Sequence, residues 1–425
     1  MARFIVEGGA RLSGEITPAG NKNAALPLIA AAMLTDEPVT LRNLPDIRDV
    51  SVMLEMLDKA GAKVERRDPH EATIRCAIRS TELDPALARE IRTSLLFAGP
   101  MLARHGSVTL APPGGDVIGK RRVDTHFLAL EALGATARVE HGGYKLEAQR
   151  LRGAEIVLDE ASVTATENAL MCAVLASGRT IIGNAASEPH VQELGHCLVA
   201  MGARINGIGT NTLTIEGVER LGGLDHRISS DHMEVGSFIG AAVVTKSELT
   251  IKDAVPEHLR MTRLVFERLG VRTEVRESDL QVPAQEHIEI HPDIGGAIPE
   301  IKPLPWPGFP SDLTSIATAI ATQAEGTVLI HEWMYPGRMY FVDSLISMGA
   351  RIVLCDPHRA VVVGPSELYA TELRSPDIRA GMALLLATLA AQGTSVINNV
   401  EQIDRGYERL DERLNRVGAK IERVS

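Results

Sequence analysis

The stretch Ala111–Asp124 (APPGGDVIGKRRVD) is the segment best equipped to hold an anion. Two prolines, three glycines and the consecutive cations Lys120, Arg121 and Arg122 surround Asp116. A loop so rich in glycine and charge serves a ligand more often than a core. Gly114, Gly119 and Lys120 copy the spacing of a phosphate loop, but Arg121 stands where that loop needs a magnesium-binding hydroxyl. A nucleotide hydrolase is therefore rejected. A second candidate is GNKNAALP (Gly20–Pro27), which sets Lys22 and Asn23 at a helix start, where backbone N–H groups favour an anion. The plainer reading makes Asn23 a cap and Lys22 a surface lysine. Asp312 follows the stiff run PLPWPGFPS and precedes a helical pattern, so a plain N-cap is the simple reading there. Arg405, in IDRGYERL, has the reading of a surface charge.

Other chemistries lack their residues. His126, His190, His196, His226 and His232 form no i, i+4 pair, and His331-Glu332 is not followed by the spacing of a zinc helix. No metal is expected. GIGTNT lacks the third glycine of a dinucleotide fingerprint, no G-x-S-x-G elbow occurs, and no cofactor is expected. Acidic residues outnumber basic ones, 55 to 44, for a formal charge of −11. With aromatics at 3%, both a broad basic surface and base stacking are disfavoured, so no nucleic-acid partner is expected. Cys76, Cys172, Cys197 and Cys355 are scattered, which excludes a disulfide scaffold and fits a reducing compartment. The start MARFIVEGGARLSG has no long apolar region, and Met382–Ala391 is too short to span a bilayer. The expectation is a soluble cytoplasmic protein without a membrane partner.

The elements that must position these residues repeat. Gly61, Gly134, Gly202, Gly270, Gly349 and Gly418 each close an apolar helical pattern and precede a short β-branched strand, roughly 70 residues apart. Each is expected at a helix C′ position. A second helix is expected upstream in each unit, as in Asn23–Leu34, Glu167–Ala176 and Ile378–Ala390. Three units per half predict two similar α/β domains with a boundary near residue 230. At 425 residues the length agrees with two or three domains.

Together these residues resemble the enolpyruvyl transferases, and within them the branch acting on amino-sugar nucleotides. The resemblance spans essentially the whole chain. It rests on GNKNAALP, on PPGG-x-x-IG-x-R-x-VD-x-H, on SV-x-AT-EN, NAASEP and IEGVERLGG, on the P-S-D before a helix, and on IDRGYERLDERL. The sister branch acting on phosphoshikimate typically carries G-S-K-S-x-x-N-R near its start. The resemblance implies an α/β fold of two inside-out α/β barrel domains, each of three βαβαββ-type units. One comprises residues 22–229 and the other residues 1–21 with 230–425. It implies transfer of the enolpyruvyl group of phosphoenolpyruvate to the 3′-hydroxyl of UDP-N-acetylglucosamine, with loss of phosphate, by addition and elimination. That chemistry needs cations for the phosphate and carboxylate, an acid for C3 and a base for the hydroxyl.

By the same resemblance Asp116, Lys22, Asp312 and Arg405 are catalytic, with Asp116 the acid and Asp312 the base. Lys22, Asn23, Arg121, Arg379 and Arg405 bind phosphoenolpyruvate. Arg92, Arg121, Arg122, Val123, Asp124, Thr125, Ser162, Val163, Asp312 and Met334 bind the sugar nucleotide, and Arg338 is a further cation. These positions fall in both halves of the chain, which implies closure around the ligands with the glycine-rich loop as lid.

Four departures stand out. Asp116 occupies the position of a cysteine that in most members is the acid and the thiol alkylated by fosfomycin. A carboxyl with a reference pKa of about 3.9 must be raised by burial or reprotonated each cycle to act as acid. It is also a poorer nucleophile toward an epoxide, so fosfomycin resistance is expected. Arg122 replaces a proline, Thr164 a frequent glycine, and Met334–Arg338 (MYPGR) the usual F-E-N-R. These leave two alternatives open: another acceptor, or a silent sugar-nucleotide-binding regulator.

Overall fold

A computed structural model describes every residue except 1, 116–121, 141 and 425. The chain separates into two compact units. One holds the described residues of 20–115 and 122–229; the other holds 2–19 and 230–424.

Each unit has three sheets, giving the mixed α/β architecture. The first sheet of the 20–229 unit sets the plan. Val39–Arg42 pairs parallel with Leu224–Arg227 on one side and antiparallel with Glu71–Arg75 on the other, and Lys63–Asp68 forms the outer edge. A helix, Arg48–Ala60, connects Val39–Arg42 to Lys63–Asp68. The same one-parallel, two-antiparallel plan recurs in four more sheets. In the last, Thr394–Asn398 pairs parallel with Glu372–Arg374, and the chain start Arg3–Glu7 takes the inner antiparallel place beside Ile421–Val424. In the sixth, Ser107–Leu110, Gly143–Glu147 and Thr136–Glu140 make the antiparallel part, and a parallel bridge from Glu82 to Thr109 stands for the missing strand. Among the described residues each unit's strands are thus hydrogen-bonded in three sheets.

The six joint glycines all take positive φ, from 83° at Gly270 to 110° at Gly61. A residue with a Cβ is disfavoured there, so the sequence marks these helix ends by chemistry. The upstream helices lie in the interior. Every residue of His232–Val244 and of Thr314–Ala321 is buried, and Lys22–Ala31 buries all but Asn23. This is the inside-out arrangement, with sheets outside and helices within. Two expected helices differ at their ends. Asn23–Leu34 is an α-helix over Lys22–Ala31 followed by a 3-10 turn over Ala32–Leu34, and Glu167–Ala176 is a helix over Val163–Ala173. Ser162 caps the latter, so it begins four residues before the expected start at Glu167. Ile378–Ala390 is helical as expected.

Small residues let the interior helices approach. Gly99, in the Ala98–His105 helix, lies where a Cβ would come within 2.4 Å of the Asn168 carbonyl oxygen. Gly99→Ala must push two buried helices apart. It is expected to cost about 1–3 kcal/mol. Urea unfolding should show this as a lower midpoint at unchanged slope; an unchanged midpoint would show that the helices yield freely.

Candidate active site

The expected residues collect at the N-terminal ends of interior helices. Lys22 and Asn23 open the Lys22–Ala31 helix. Its cap is Asn21, whose Oδ1 accepts from the Asn23 N–H at 2.8 Å and the Ala24 N–H at 3.3 Å. The plain reading of Asn23 as the cap is therefore corrected: an extended Asn21 already fills that role. Lys22 is not a surface lysine either. It is 8% exposed, and its Nζ lies 2.7 Å from Oδ2 of Asp49, itself 3% exposed. A buried ammonium without a carboxylate would be costly, so Asp49 holds the charge of Lys22 in place.

A second group lies in the same unit. Arg92 donates from Nη2 to the Arg122 carbonyl at 2.7 Å. Arg122 is paired at Nε with Asp124 (3.2 Å) and at Nη2 with Asp159 (3.3 Å), and Asp124 raises its pKa. Thr125 donates to the other Asp159 oxygen at 2.6 Å. Val123 immediately precedes the Asp124–Ala132 helix. Ser162 accepts from the Ala165 N–H at 3.4 Å and so caps the helix that Val163 opens. Arg92, Arg122, Val123, Asp124 and Thr125 are thus brought together around Asp159. Gly114 packs directly on this group's scaffold, since a Cβ there would fall 1.7 Å from the Arg89 carbonyl oxygen. Asp116 and Arg121 lie outside the described residues.

The unit of 230–424 holds the other group. Asp312 sits in the 3-10 turn Ser311–Leu313, just before the Thr314–Ala321 helix. Its carboxylate is held from two sides and is no plain N-cap. Arg379 Nε reaches Oδ2 at 2.9 Å, and Arg338 Nη2 reaches Oδ1 at 3.1 Å. Both arginines are buried, at 5% and 6% exposure, while the Asp312 side chain is 31% exposed. Burial disfavours the charge of Arg379, but Tyr407 and Asp312 outweigh it and hold its pKa well above the ordinary value. Tyr335 stacks on Arg338 and Tyr407 on Arg379, with ring-to-guanidinium distances of 4.9 and 5.4 Å. Glu332 and Asp377 also act on Arg338, and Asp231 on Arg379, so the two cations sit in a network of several carboxylates. Arg338 Nε and Arg379 Nη1 are buried with no hydrogen-bond partner among the described residues. Such N–H groups are prepared to meet an anion.

Asp377 caps the Ile378–Ala390 helix and so fixes the Arg379 backbone at its start, at 2.9 Å. Met334 is half-buried, its N–H given to Glu332 Oε1 at 3.0 Å. Arg405 is half-buried and donates to Gln402 at 3.3 Å, so it is more than a surface charge.

Sequence reasoning passes over the partners. Glu332, fully buried, accepts from Ser311, Thr314, Met334 and Tyr335 and thereby ties the MYPGR segment to the Asp312 turn. Asp49 and Asp159 are likewise unmarked by any motif, and Tyr335 and Tyr407 lie inside quoted segments without being singled out. The one available signal for Glu332 is a carboxylate ending the apolar strand Gly326–His331. Among the described residues no group of three or more His, Cys, Asp or Glu is gathered to hold a metal, and no helix is long and apolar enough to cross a membrane.

His232 opens the His232–Val244 helix beside this cluster, with its ring 5.9 Å from that of His258. Burial first, then the charges of His258 and Arg379, lower its pKa from 6.5 to about 3, against an opposing pull from Asp312. The folded protein thus refuses a proton that the unfolded chain accepts. Stability contributed by neutral His232 is present above pH 6.5 and is lost as pH falls from there toward 3, by up to about 1.4 kcal/mol per unit. His232→Asn should shallow this slope in urea unfolding between pH 7 and 5. Parallel pH profiles for the two proteins would assign the slope to other groups.

Comparison with known proteins agrees along the whole chain. A profile of the family described as EPSP synthase (3-phosphoshikimate 1-carboxyvinyltransferase) matches residues 6–414. The chain is 57% identical over 427 residues to the UDP-N-acetylglucosamine 1-carboxyvinyltransferase of Bradyrhizobium diazoefficiens, covering 99% of this chain and 98% of that one. It is 54% identical over 423 residues to the protein of that name from Treponema denticola, covering 99% of each. Among solved structures it is similar to the enolpyruvyl transferase NikO from Streptomyces tendae. That match has a TM-score of 0.89 and 27% identity, covering 100% of this chain and 99% of that one. An EPSP synthase from Acinetobacter baumannii matches with a TM-score of 0.75 at 18% identity over 100% of each chain, a likeness of fold.

Proposed function

Because the chain belongs to the EPSP synthase family of enolpyruvyl transferases, we propose that it transfers the enolpyruvyl group of phosphoenolpyruvate to the 3′-hydroxyl of UDP-N-acetylglucosamine, releasing phosphate, as a step of peptidoglycan precursor synthesis. The observation that carries the reading is the buried pair Arg338 and Arg379 around Asp312, each arginine keeping an N–H for an anion. The acceptor is supported by the relatives named for it over the full chain.

In the addition step the acceptor oxygen bonds to C2 of phosphoenolpyruvate. Its proton passes to Asp312, and C3 takes a proton from Asp116. In the elimination C3 gives a proton back to the Asp116 carboxylate, the bond from C2 to the phosphate oxygen breaks, and phosphate leaves. Lys22, Arg121, Arg379 and Arg405 neutralise the phosphate and carboxylate through both steps, with Asn23 beside them. The charge of Lys22 is kept in place by Asp49. Arg338 orients Asp312 and adds positive charge. Arg92, Arg122, Val123, Asp124, Thr125, Ser162, Val163 and Met334 hold the sugar nucleotide. The charge of the two arginines beside Asp312 favours the anion formed at the reacting centre.

Phosphate release from phosphoenolpyruvate should require UDP-N-acetylglucosamine and should fall at least a hundredfold in both Asp116→Ala and Asp312→Ala, the low end expected for loss of a proton-transfer group. Binding of the sugar nucleotide without phosphate release would identify a silent relative, and release only with another acceptor would redirect the reading. We further propose that Asp116 confers resistance to fosfomycin. Incubation should leave the wild-type protein active while Asp116→Cys is inactivated with time. Rapid, time-dependent loss in the wild type would refute this.

A further inference from the structure

The contacts of His126 extend this reading and rest on it. His126 is 2% exposed and lies in the first turn of the Asp124–Ala132 helix, its N–H bonded to the Val123 carbonyl at 3.1 Å. Its ring meets two residues of the Val163–Ala173 helix. Nδ1 lies 2.9 Å from Asn168 Nδ2, and Nε2 lies 3.1 Å from Thr164 Oγ1.

The donors in this network follow by satisfaction. The Asn168 Oδ1 accepts from the Gly99 N–H at 2.8 Å, so the other end of the amide is the NH2 group. Its two hydrogens go to the Leu95 carbonyl at 2.8 Å and to His126 Nδ1. Nδ1 must therefore accept. A neutral ring then carries its proton on Nε2, and that N–H donates to the Thr164 hydroxyl. The Thr164 oxygen thus completes the chain that sets the tautomer and orientation of the ring.

Position 164 is where the resemblance leads one to expect glycine, which has no hydroxyl to offer. Here the hydroxyl joins the starts of two helices. A second tie, from Thr125 to Asp159, joins them a few residues earlier in the chain. Arg122–Thr125 run up to these ties on one side, and Ser162 and Val163 lie between them on the other, the two segments assigned to the sugar nucleotide. We propose that Thr164 is a positioning residue which, through His126, fixes these two segments at the spacing the sugar nucleotide requires.

The effect should appear in one Michaelis constant only. Thr164→Val keeps the shape and removes the acceptor. It should raise KM for UDP-N-acetylglucosamine about tenfold, the scale of one lost buried hydrogen bond, while kcat and KM for phosphoenolpyruvate stay within about twofold. Thr164→Ser restores a hydroxyl and should restore KM. A purely structural role would lower the unfolding midpoint without splitting the constants. Nitrogen-15 NMR of histidine-labelled protein should place the His126 proton on Nε2, with the signal assigned by its loss in His126→Gln; this decides the matter even where Thr164→Val fails to fold. The inference is overturned by an unchanged KM in Thr164→Val, by a serine variant as weak as the valine variant, or by a proton on Nδ1. A wild-type protein that turns over with unchanged variants sinks this inference alone. A wild-type protein that neither binds nor turns over UDP-N-acetylglucosamine sinks the proposed function and this inference with it.

Discussion

A helix buried on every side can meet a ligand only with its end. That constraint organises this protein. The Lys22–Ala31, His232–Val244, Thr314–Ala321 and Ile378–Ala390 helices have almost no exposed flank. Their backbones satisfy themselves along the length and leave N–H groups at the start. Lys22, Asn23, His232, Asp312 and Arg379 all stand at or next to such starts, Ser162 and Val163 stand at the start of the mostly buried Val163–Ala173 helix, and Thr125 stands at the start of a helix with one exposed flank. Helix starts favour negative charge. A protein handling a phosphate, a carboxylate and a diphosphate is therefore well served by turning its helices inward, and the separate sheets around them are the means of doing so.

The same burial decides what the cations need. Lys22 and Arg379 would be unstable charges if left alone in the interior. Each is matched by a carboxylate from elsewhere in its own unit, Asp49 or Asp312. The two matches differ in consequence. Lys22 and Asp49 are one against one. Arg338 and Arg379 share Asp312, with Glu332, Asp377 and Asp231 also acting on them, and each arginine keeps one buried N–H without a hydrogen-bond partner among the described residues. Glu332 lies within the same shell, but its oxygens are occupied by Ser311, Thr314 and two backbone N–H groups, so it builds the turn and leaves the ligand to its neighbours.

Thr164 shows how a departure from a family pattern acquires meaning only in three dimensions. In the sequence it is a polar residue near a helix start. In the fold it closes a chain of hydrogen bonds running from Gly99 through Asn168 and His126. Arg122, another departure, reaches Asp124 and Asp159 beside the same helix starts. The exposed Arg122 pairs are easily exchanged for a ligand's charge, whereas the buried His126 network is not.

What the sequence by itself determined was the repeat and the chemistry. The joint glycines announced six helix ends because only a residue without Cβ turns there at little cost, and the apolar periodicity announced the helices that precede them. The cations, Asp312 and the glycine-rich loop were legible because their residue types and local spacing are unusual. The tertiary structure decided their partners. Asp49 meets Lys22 across 27 residues, Asp312 meets Arg379 across 67, and Asn168 meets Gly99 across 69. Nothing local distinguishes Asp49 from a surface aspartate, and nothing local names the partner of Asp312 or of Asn168. It also decided that Asn21, and not Asn23, caps the first helix, since two asparagines flanking one lysine are equivalent until the backbone commits. Local patterns report what a segment can do alone; burial and charge pairing are properties of the packed whole.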